Sequence, residues 1–334
     1  MFVVLFVITA VLFVLDIFLG SVSVKPADVL RSFLNPTGSD YEIIILKFRL
    51  PKAITALMAG VALSISGLLM QTVFRNPMAG PYVLGISSGA SLGVAVVILG
   101  FSGLFTNVSI GIAGSWLLAV SAWAGAGIIL VLMMAISARV KDIMTILILG
   151  IMLSGGISSI VTILQYFSSE TLLKAYVIWT MGSLGNLTDS QVDVLMITIA
   201  AGTILSLLTM KMLNALLLGE SYAGSLGLNV RFARFVIFLC TSILAGSVTA
   251  FCGPIGFIGI AVPHIVRMIF RTSDHRILIP GTIFVGGSLM LLSDIVSQLP
   301  GSERVLPVNA VTSLIGIPVV LWVIFKNRRY SGFF

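Results

Sequence analysis

The sequence predicts an all-α polytopic membrane protein with about ten transmembrane helices, in a single domain over residues 1–334. Three observations support this prediction. Hydrophobic residues make up 58% of the chain and charged residues only 9%, whereas a soluble domain carries about 25% charged residues. The apolar residues form runs long enough to cross a bilayer. These runs are continuous and do not alternate with polar residues, as the strands of a membrane β-barrel would.

Ten apolar runs define the predicted spans, because a helix needs about 20 apolar residues to cross the hydrocarbon core. In order, they are 1–20, 52–73, 82–100, 108–136, 143–164, 191–210, 235–252, 256–271, 277–296 and 306–325. The first has no basic start and no small-residue cleavage site, so we interpret it as a retained span. The run 256–271 is the weakest, since it is short and contains Pro263, His264 and Arg267. We expect it to pack inside the helix bundle, where interruptions are tolerated.

The distribution of charge predicts which side of the membrane each loop faces. Ten spans place both termini on one side. If that side is the cytoplasm, the inner segments hold twelve of the 19 Lys and Arg residues and only three acidic residues. Because cytoplasmic loops carry the excess of Lys and Arg, the sequence predicts cytoplasmic termini. The net charge of +7 therefore reflects orientation, and we expect no nucleic-acid partner.

Three segments between the spans are long enough to carry structure. Residues 21–51 are polar and lie outside. Residues 165–190 also lie outside and are predicted to form an interfacial or re-entrant helix, with Trp179 at the water boundary. The longest inner segment, 211–234, is predicted to form two short helices on the cytoplasmic face, with Gly219 ending the first. Such a surface suits the docking of another protein.

The sequence lacks the residue patterns of common enzymes. Its two histidines, His264 and His275, have no ligand partner at helical spacing, and zinc-hydrolase and serine-elbow motifs are absent. No lysine follows a glycine, so there is no Walker A nucleotide site. Asp16 and Asp294 lie inside predicted spans, and we interpret both as exposed at the outer headgroups. We expect no metal site and no cofactor, and a separate motor protein if transport is uphill.

Small residues predict a close helix contact. Gly85, Gly89 and Gly93 in "GISSGASLG" are four residues apart and share one helix face. In lipid, small residues allow helix backbones to approach closely. We expect this face to pack against a neighbouring helix, and it could also border a moving pathway. The two cysteines, Cys240 and Cys252, are interpreted as small buried apolar side chains.

Four sequence blocks resemble the FecCD family, the permease subunits of ABC importers for iron-siderophores, haem and cobalamin. The blocks occur in the family order and cover most of the chain. They are "RLPKAITALMAGVALSISGLLMQTVFRNPMAGPYVLGISSGASLG" (49–93), "LLLGESYAGSLGLNV" (216–230), "GPIGFIGIAVPHIVR" (253–267) and "LPVNAVTSLIGIPVVLWVI" (306–324). The resemblance implies an ABC type II importer permease fold with ten spans per subunit.

The resemblance also implies partners and a location. A second copy of the chain would complete a homodimer around a central pathway, and two copies of an ATP-binding cassette subunit would bind beneath it. A periplasmic or lipid-anchored substrate-binding protein would cap it. The permease itself would have no ATPase site and would lie in the bacterial inner (cytoplasmic) membrane. The family's coupling helices match residues 212–229, and the matching positions are Leu218, Gly219, Glu220, Ala223 and Gly227.

Two further groups of residues match family positions. In relatives, the Asn-Pro-apolar step narrows the pathway at the cytoplasmic mouth, which implies a gate at Asn76, Pro77 and Met78. The neighbouring Arg75 is interpreted as an anchor to the lipid headgroups. Basic residues of relatives meet acidic residues of the binding protein. The matching basic positions here are Arg49, Lys52 and Arg304.

The sequence does not identify the substrate. Siderophore, haem and cobalamin permeases share all the quoted motifs. We expect an iron chelate, the commonest assignment in the family, with cobalamin as the alternative. An ion-coupled transporter or channel that acts alone is a competing class, and a membrane enzyme is a third.

Overall fold

A computed structural model gives the three-dimensional structure of the chain. It describes residues 1–20, 24, 29, 32, 39–100, 112–140, 142–298 and 305–327, and the regular secondary structure within them is entirely helical. The helices are, in chain order, α1 (Phe2–Phe18), α2 (Asp40–Val73), α3 (Ile86–Gly100), α4 (Ile112–Arg139), α5 (Ile143–Tyr166), α6 (Glu170–Thr180), α7 (Asp189–Leu208), α8 (Met210–Leu217), α9 (Glu220–Ser225), α10 (Val230–Cys252), α11 (Ile258–Phe270), α12 (His275–Ser297) and α13 (Val308–Asn327).

Ten of these helices are apolar, and they coincide with the ten predicted spans. Six of them, α2, α4, α5, α7, α10 and α12, are long and apolar enough to cross a membrane. The other four, α1, α3, α11 and the Val308–Trp322 part of α13, are shorter. The chain is therefore an all-α polytopic membrane protein. The remaining helices lie in the segments predicted to carry them: α6 within 165–190, and α8 and α9 in 211–234, with α8 starting one residue earlier at Met210.

The second span begins earlier than predicted. Residues 40–51 were assigned to a polar loop, but α2 already starts at Asp40. Ser39 caps this helix by accepting a hydrogen bond from the backbone N–H of Glu42. A wider π-turn, Ile44–Arg49, ends two residues before Pro51. Proline lacks an N–H and its ring clashes with the carbonyl four residues earlier in an α-helix. The π-turn supplies the extra residue that lets the helix continue past Pro51.

Helix α2 is the centre of the bundle. It packs against α7, α10, α11 and α12. Its glycines allow this, because a Cβ added at Gly60 would overlap the carbonyl of Gly286 in α12, and one at Gly67 would overlap that of Gly259 in α11. The short helix α11 lies between α2, α12 and α13, so the weakest predicted span packs inside the bundle as expected.

Both cysteines lie in the core. Cys240 and Cys252 belong to α10, and neither side chain is accessible to solvent beyond a trace. The thiol of Cys240 donates a hydrogen bond to the carbonyl oxygen of Gly202 in α7, at 3.2 Å. The prediction that both cysteines are buried as small apolar side chains is therefore confirmed.

Candidate functional site

The predicted gate is a turn that directly follows α2. The helix ends in a Schellman motif, in which the N–H of Asn76 bonds to the carbonyl of Gln71 and the N–H of Arg75 to that of Thr72. Arg75 occupies the left-handed position of this motif, with φ of 48°, where glycine is usual. The side-chain oxygen of Asn76 then accepts the N–H of Met78, at 2.9 Å. Asn76 thus shapes the turn through its side chain.

Helix α11 holds the gate turn in place. The Nε2 of His264 lies 2.8 Å from the carbonyl oxygen of Pro77. Because a carbonyl only accepts, this nitrogen carries the hydrogen. One turn before the gate, the amide of Gln71 donates to the carbonyl of Ile260 at 3.2 Å and accepts from Arg267 at 2.5 Å. Movement of α11 relative to α2 would therefore displace the gate turn.

The predicted coupling segment forms two short helices joined by a glycine turn. Gly219 has φ of 102° and Gly227 has φ of 87°, so both ends of α9 use backbone conformations that disfavour other residues. Ala223 is fully buried on the inner face of α9. Three apolar side chains on the segment are instead more than half exposed: Leu218, Tyr222 and Leu226. An exposed apolar cluster in a loop between spans is typical of a protein-binding surface.

Ion pairs and hydrogen bonds attach this segment to the transmembrane helices. Glu220 accepts hydrogen bonds from the guanidinium of Arg234 in α10 through both of its carboxylate oxygens, with Nε at 2.9 Å from Oε1. Arg75 donates from its guanidinium to the carbonyl oxygen of Leu217, the last residue of α8, at 3.4 Å. Arg75 is otherwise exposed, and its interpretation as a headgroup anchor stays a prediction. The terminal carbonyls of a helix lack intrahelical partners, and Arg75 supplies one from the gate turn.

The predicted docking cation Arg49 is buried. Its side chain is 8% exposed, and Nη1 donates to the carbonyls of Ile17 and Phe18 at the end of α1, at 2.9 and 2.8 Å. Arg49 therefore fixes α1 to the first part of α2. Arg304, the third predicted docking residue, lies outside the described residues.

Lys52 belongs to a buried polar cluster at the same end. Its ammonium nitrogen lies 3.0 Å from Oδ1 of Asp294, and the two side chains are 20% and 1% exposed. The amide nitrogen of Gln298 bridges Asp294 and Asp16, at 2.8 and 3.1 Å. The interpretation of Asp16 and Asp294 as exposed at the headgroups was wrong. Both are buried, because Lys52 and Gln298 satisfy carboxylates that could not otherwise leave water.

The glycine stripe divides into two parts. A Cβ added at Gly89 would lie 2.5 Å from the carbonyl oxygen of Gly125, and one at Gly93 would overlap the carbonyl of Ser121, so both glycines face α4. Gly85 instead has φ of 80° and forms the junction between a 3₁₀ turn and α3. Its nearest neighbour is Ser154 in α5. Close helix approach thus involves Gly89 and Gly93, whereas Gly85 provides a turn.

A cleft of about 270 Å³ opens between α3, α5 and α6. It is lined by seven hydroxyl or amide side chains and two aliphatic ones: Ser87, Ser88, Ser91, Ser158, Thr162, Gln165, Tyr176, Ile157 and Val161. The lining residues carry no ionised group. The cleft can therefore offer hydrogen bonds to a neutral polar ligand, while a carboxylate would lose its hydration without gaining a cation.

Sequence reasoning missed the polar residues that surround the gate. Gln71 was not singled out, and His264, Arg267 and His275 were considered only as isolated residues or as candidate metal ligands. Gln71, His264 and Arg267 lie inside apolar runs, where an unpaired polar group is costly, so each needs a partner. That requirement was the available signal, although the partners lie too far away in sequence to be identified from it.

Comparisons with known proteins agree with this architecture. A sequence model of the FecCD transport family matches residues 8–326. The vitamin B12 import system permease protein BtuC of Escherichia coli O9:H4 (strain HS) is 35% identical over 310 residues, which cover 93% of this chain and 90% of BtuC. BtuC of Salmonella newport (strain SL254) is 36% identical over 289 residues, covering 86% and 85%.

Solved structures give the same picture. The inward-facing structure of a metal-chelate type ABC transporter superimposes with a TM-score of 0.85 at 28% identity, covering 97% of this chain and 98% of the other. A chain of the PsaBC complex of Streptococcus pneumoniae with Fab gives a TM-score of 0.53 at 14% identity and covers 90% of this chain and 95% of that one. The second match is a likeness of fold alone.

Proposed function

The chain belongs to the FecCD transport family of ABC importer permeases, and on this premise we propose that two copies of it form a pathway for vitamin B12 across the bacterial inner membrane. ATP is hydrolysed by two separate cassette subunits bound at α8 and α9. The observation that carries this proposal is the physical link from those helices to the gate turn. The side chain of Arg75 joins the gate turn to α8. Its backbone has the left-handed conformation, which is unfavourable for a residue other than glycine, and this places the guanidinium beside the carbonyl of Leu217.

The surface for the motor is the exposed side of the coupling segment. Leu218, Tyr222 and Leu226 present apolar side chains, while Glu220 and Arg234 fix α9 to α10. A force on this surface passes to the transmembrane helices through an ion pair that is largely shielded from water. Because no lysine of the chain follows a glycine, the energy source is assigned to another polypeptide. With the termini in the cytoplasm, the segment faces that motor.

The gate is proposed at Asn76, Pro77 and Met78. The turn is hydrogen-bonded to α11 through Pro77 and shaped by the side chain of Asn76, while the side chain of Met78 is exposed. A flexible, unbranched side chain at this place can close a passage against substrates of irregular shape. Opening would require α11 to move relative to α2.

On the outer side, we retain Arg49, Lys52 and Arg304 as the proposed contact region for a substrate-binding protein. The buried position of Arg49 suits a supporting role, since it fixes the end of α1. Lys52 is partly exposed and pairs with Asp294. An acidic residue of the binding protein would compete with Asp294 for this ammonium group, so docking would loosen the cluster at the outer end of α2.

The pathway is proposed to lie between two copies of α5. This helix is apolar, yet only 22% of its most apolar window is buried within the chain. Its outer half carries small and hydroxyl residues, including Gly155, Gly156, Ser158 and Thr162, which is unusual for a surface in contact with lipid tails. A second copy and the transported molecule would cover this face.

Vitamin B12 is preferred over the iron chelate that the sequence analysis expected. The relatives at 35% and 36% identity are vitamin B12 permeases. The neutral cleft between α3, α5 and α6 also suits the uncharged amide groups at the edge of a corrinoid ring. The same chemistry disfavours haem, whose propionates are charged. A neutral iron-siderophore remains the second candidate, supported by the likeness to a metal-chelate type transporter.

A transport assay in proteoliposomes tests the proposal. The chain is reconstituted with its cassette subunit and its binding protein, and uptake of cyanocobalamin, a ferric hydroxamate siderophore and haem is measured. We expect cyanocobalamin uptake that requires both ATP and the binding protein. Uptake without ATP would overturn the importer mechanism in favour of a transporter acting alone. ATP-dependent uptake of the siderophore alone would change only the substrate.

A further inference from the structure

A buried histidine lies where the gate helix and the coupling segment meet. His275 is the first residue of α12, and its side chain is completely inaccessible to solvent. Its Nε2 lies 2.8 Å from the hydroxyl oxygen of Thr72 in α2. Its Nδ1 lies 2.7 Å from the side-chain oxygen of Asn214 in α8. One imidazole ring therefore contacts both the helix that ends in the gate and the first coupling helix.

The neighbouring groups determine the orientation of Asn214. Its Oδ1 lies 2.9 Å from the backbone N–H of His275, which can only donate. Its Nδ2 lies 2.7 Å from the carboxylate of Asp274, which only accepts when ionised. Hydrogen bonds from the backbone N–H of Arg276 and then from Asn214 hold the pKa of Asp274 below its usual value, so this carboxylate is ionised at neutral pH. If the amide of Asn214 were rotated by 180°, its NH₂ group would face the backbone N–H of His275 and its oxygen would face the carboxylate of Asp274, so the orientation is fixed.

This orientation fixes the hydrogens of the ring. Because Oδ1 of Asn214 accepts, Nδ1 of His275 must donate. In the neutral ring, Nε2 then has a free lone pair, and the hydroxyl of Thr72 donates to it. The bonds run in one direction, from Thr72 through His275 to Asn214. Each is short, and the ring that joins them is rigid.

The hydroxyl of Thr72 can exchange its hydrogen bond to His275 for one within α2. Its hydroxyl oxygen also lies 2.9 Å from the carbonyl of Leu68, one turn earlier in α2. A threonine in a helix commonly donates to such a carbonyl. If His275 moves away, the hydroxyl can turn fully towards Leu68 and is not left without an acceptor. The link between α2 and α12 can therefore break and re-form during each cycle.

We propose that His275 is a positioning residue that transmits movement of α8 to the inner end of α2, with Thr72 and Asn214 as its two contacts. The proposal rests on the proposed function, since it assigns a role in coupling. Thr72 is immediately before the last residue of α2, and its carbonyl accepts the N–H of Arg75 in the gate turn. A shift of α8 would act on the gate through this buried bond. The exposed contact of Arg75 with Leu217 is longer, at 3.4 Å.

The chain offers a matched pair of variants for the test. Thr72 and Thr55 both lie in α2 and are both buried. The hydroxyl of Thr55 donates only within its own helix among the described residues, to the carbonyl of Pro51 at 2.8 Å. Thr72→Val and Thr55→Val therefore make the same chemical change, but only Thr72→Val removes a bond to another helix.

The first measurement is the number of substrate molecules imported per ATP hydrolysed by the reconstituted complex, with cyanocobalamin as substrate. Loss of a hydrogen bond corresponds to roughly a tenfold change in an equilibrium. We expect Thr72→Val to lower the import ratio about fivefold to tenfold, with ATPase activity retained. Thr55→Val should keep the wild-type ratio, and Thr72→Ser, which restores the hydroxyl, should recover it. Equal ratios for the two valine variants would overturn the role of His275.

The second measurement does not depend on the substrate. A double-mutant cycle on the denaturation midpoint of the purified chain compares Thr72→Val, Asn214→Leu and their combination. Since both residues contact the same ring, we expect non-additive shifts, whereas Thr55→Val and Asn214→Leu should add. Additive shifts for Thr72 and Asn214 would contradict the link. If wild-type protein fails to import any substrate with ATP, the proposed function fails, and this cycle still decides whether His275 joins the two helices.

Discussion

Helices α2 and α5 look alike in sequence but occupy opposite places in the fold. Their most apolar windows have mean hydropathies of 2.0 and 2.2, yet 83% of the α2 window is buried within the chain and only 22% of the α5 window. Apolar character therefore indicates that a segment enters the membrane. It does not indicate whether its neighbours are other helices of the chain, lipid, or a second molecule.

The glycines of the two helices show the difference most clearly. Gly60 and Gly67 in α2 touch the backbones of α12 and α11, so that even a methyl group has no room there. Around Gly155 and Gly156 in α5, nothing lies within 4 Å of an added Cβ. The same residue type closes a contact in α2 and leaves a surface open in α5. We infer that the open surface is completed outside this chain.

The largest effect should come from filling the contact in α2. In Gly67→Ala, the new methyl group would overlap the carbonyl of Gly259, which is a backbone group and cannot turn aside. We expect no folded protein in the membrane fraction, measured by size-exclusion chromatography in mild detergent. Gly155→Ala makes the same change in α5 and should elute as the wild-type protein does. Normal folding of Gly67→Ala would mean that α2 and α11 are further apart than described.

A smaller but still large effect should follow from removing a charge in the first part of α2. Lys52→Met would leave Asp294 buried without its cation. Breaking a buried ion pair by removing one partner costs about 3–5 kcal/mol. We expect a reduction of this size in the free energy of unfolding, measured by denaturant titration in detergent.

The control for this variant is Lys47→Met, one turn earlier. Lys47 pairs with Asp189, but both side chains are more than 60% exposed. Water replaces the lost partner at such a site, so the unfolding midpoint should not change. Equal losses for the two variants would show that the cluster around Lys52 is as solvated as the surface pair.

An intermediate effect is expected from blocking the open face of α5. Gly155→Trp introduces a large side chain where the chain itself leaves space. We expect an unchanged unfolding midpoint for the protomer. Dissociation of the proposed homodimer should become at least about tenfold easier, which corresponds to 1.4 kcal/mol. Sedimentation in detergent measures this dissociation. An unchanged dimer would show that the two-fold contact lies elsewhere.

The smallest effect concerns the start of α5. Asp142 caps this helix, and its carboxylate accepts hydrogen bonds from the hydroxyl of Thr145 at 2.6 Å and from its backbone N–H at 2.8 Å. These bonds hold the pKa of Asp142 below its ordinary value, the hydroxyl contributing most. Because the folded pKa is lowered, the stabilisation is complete at neutral pH and is lost as the pH falls through that pKa.

Amide exchange measures this cap. In Asp142→Ala, the first-turn amides of α5 should be less protected from exchange at pH 7 than in the wild-type protein. Lowering the pH through the pKa of Asp142 should reduce their protection little further, because the cap is already absent. Asp142→Asn keeps a good capping residue, and its first-turn amides should stay protected both at pH 7 and below the pKa of Asp142. Rapid exchange in the wild-type protein at pH 7 would contradict the cap.

The sequence predicted the elements that depend on local patterns. The ten apolar helices follow from run length, and the short helices α8 and α9 follow from Gly219, whose positive φ ends the first of them. The π-turn before Pro51 could not be foreseen, since a proline after a polar stretch usually indicates a loop. The early start of α2 was therefore missed.

Long-range polar pairs were not predictable from one sequence. Asp16 and Asp294 each look like a headgroup acid until Lys52 and Gln298 are brought beside them by the fold. Likewise, nothing near His275 in sequence indicates Thr72 as its partner. A buried polar residue shows that a partner exists, but only the arrangement of the helices identifies it.

The burial of Cys240 and Cys252 makes this protein well suited to site-directed spectroscopy. Neither thiol is accessible to a water-soluble reagent in the folded chain. A single cysteine introduced at an exposed position such as Leu226 would carry a spin label or fluorophore without competition from native thiols. In the proposed homodimer, distances between two such labels, one per copy, would then follow the proposed coupling segments during ATP hydrolysis by the cassette subunits.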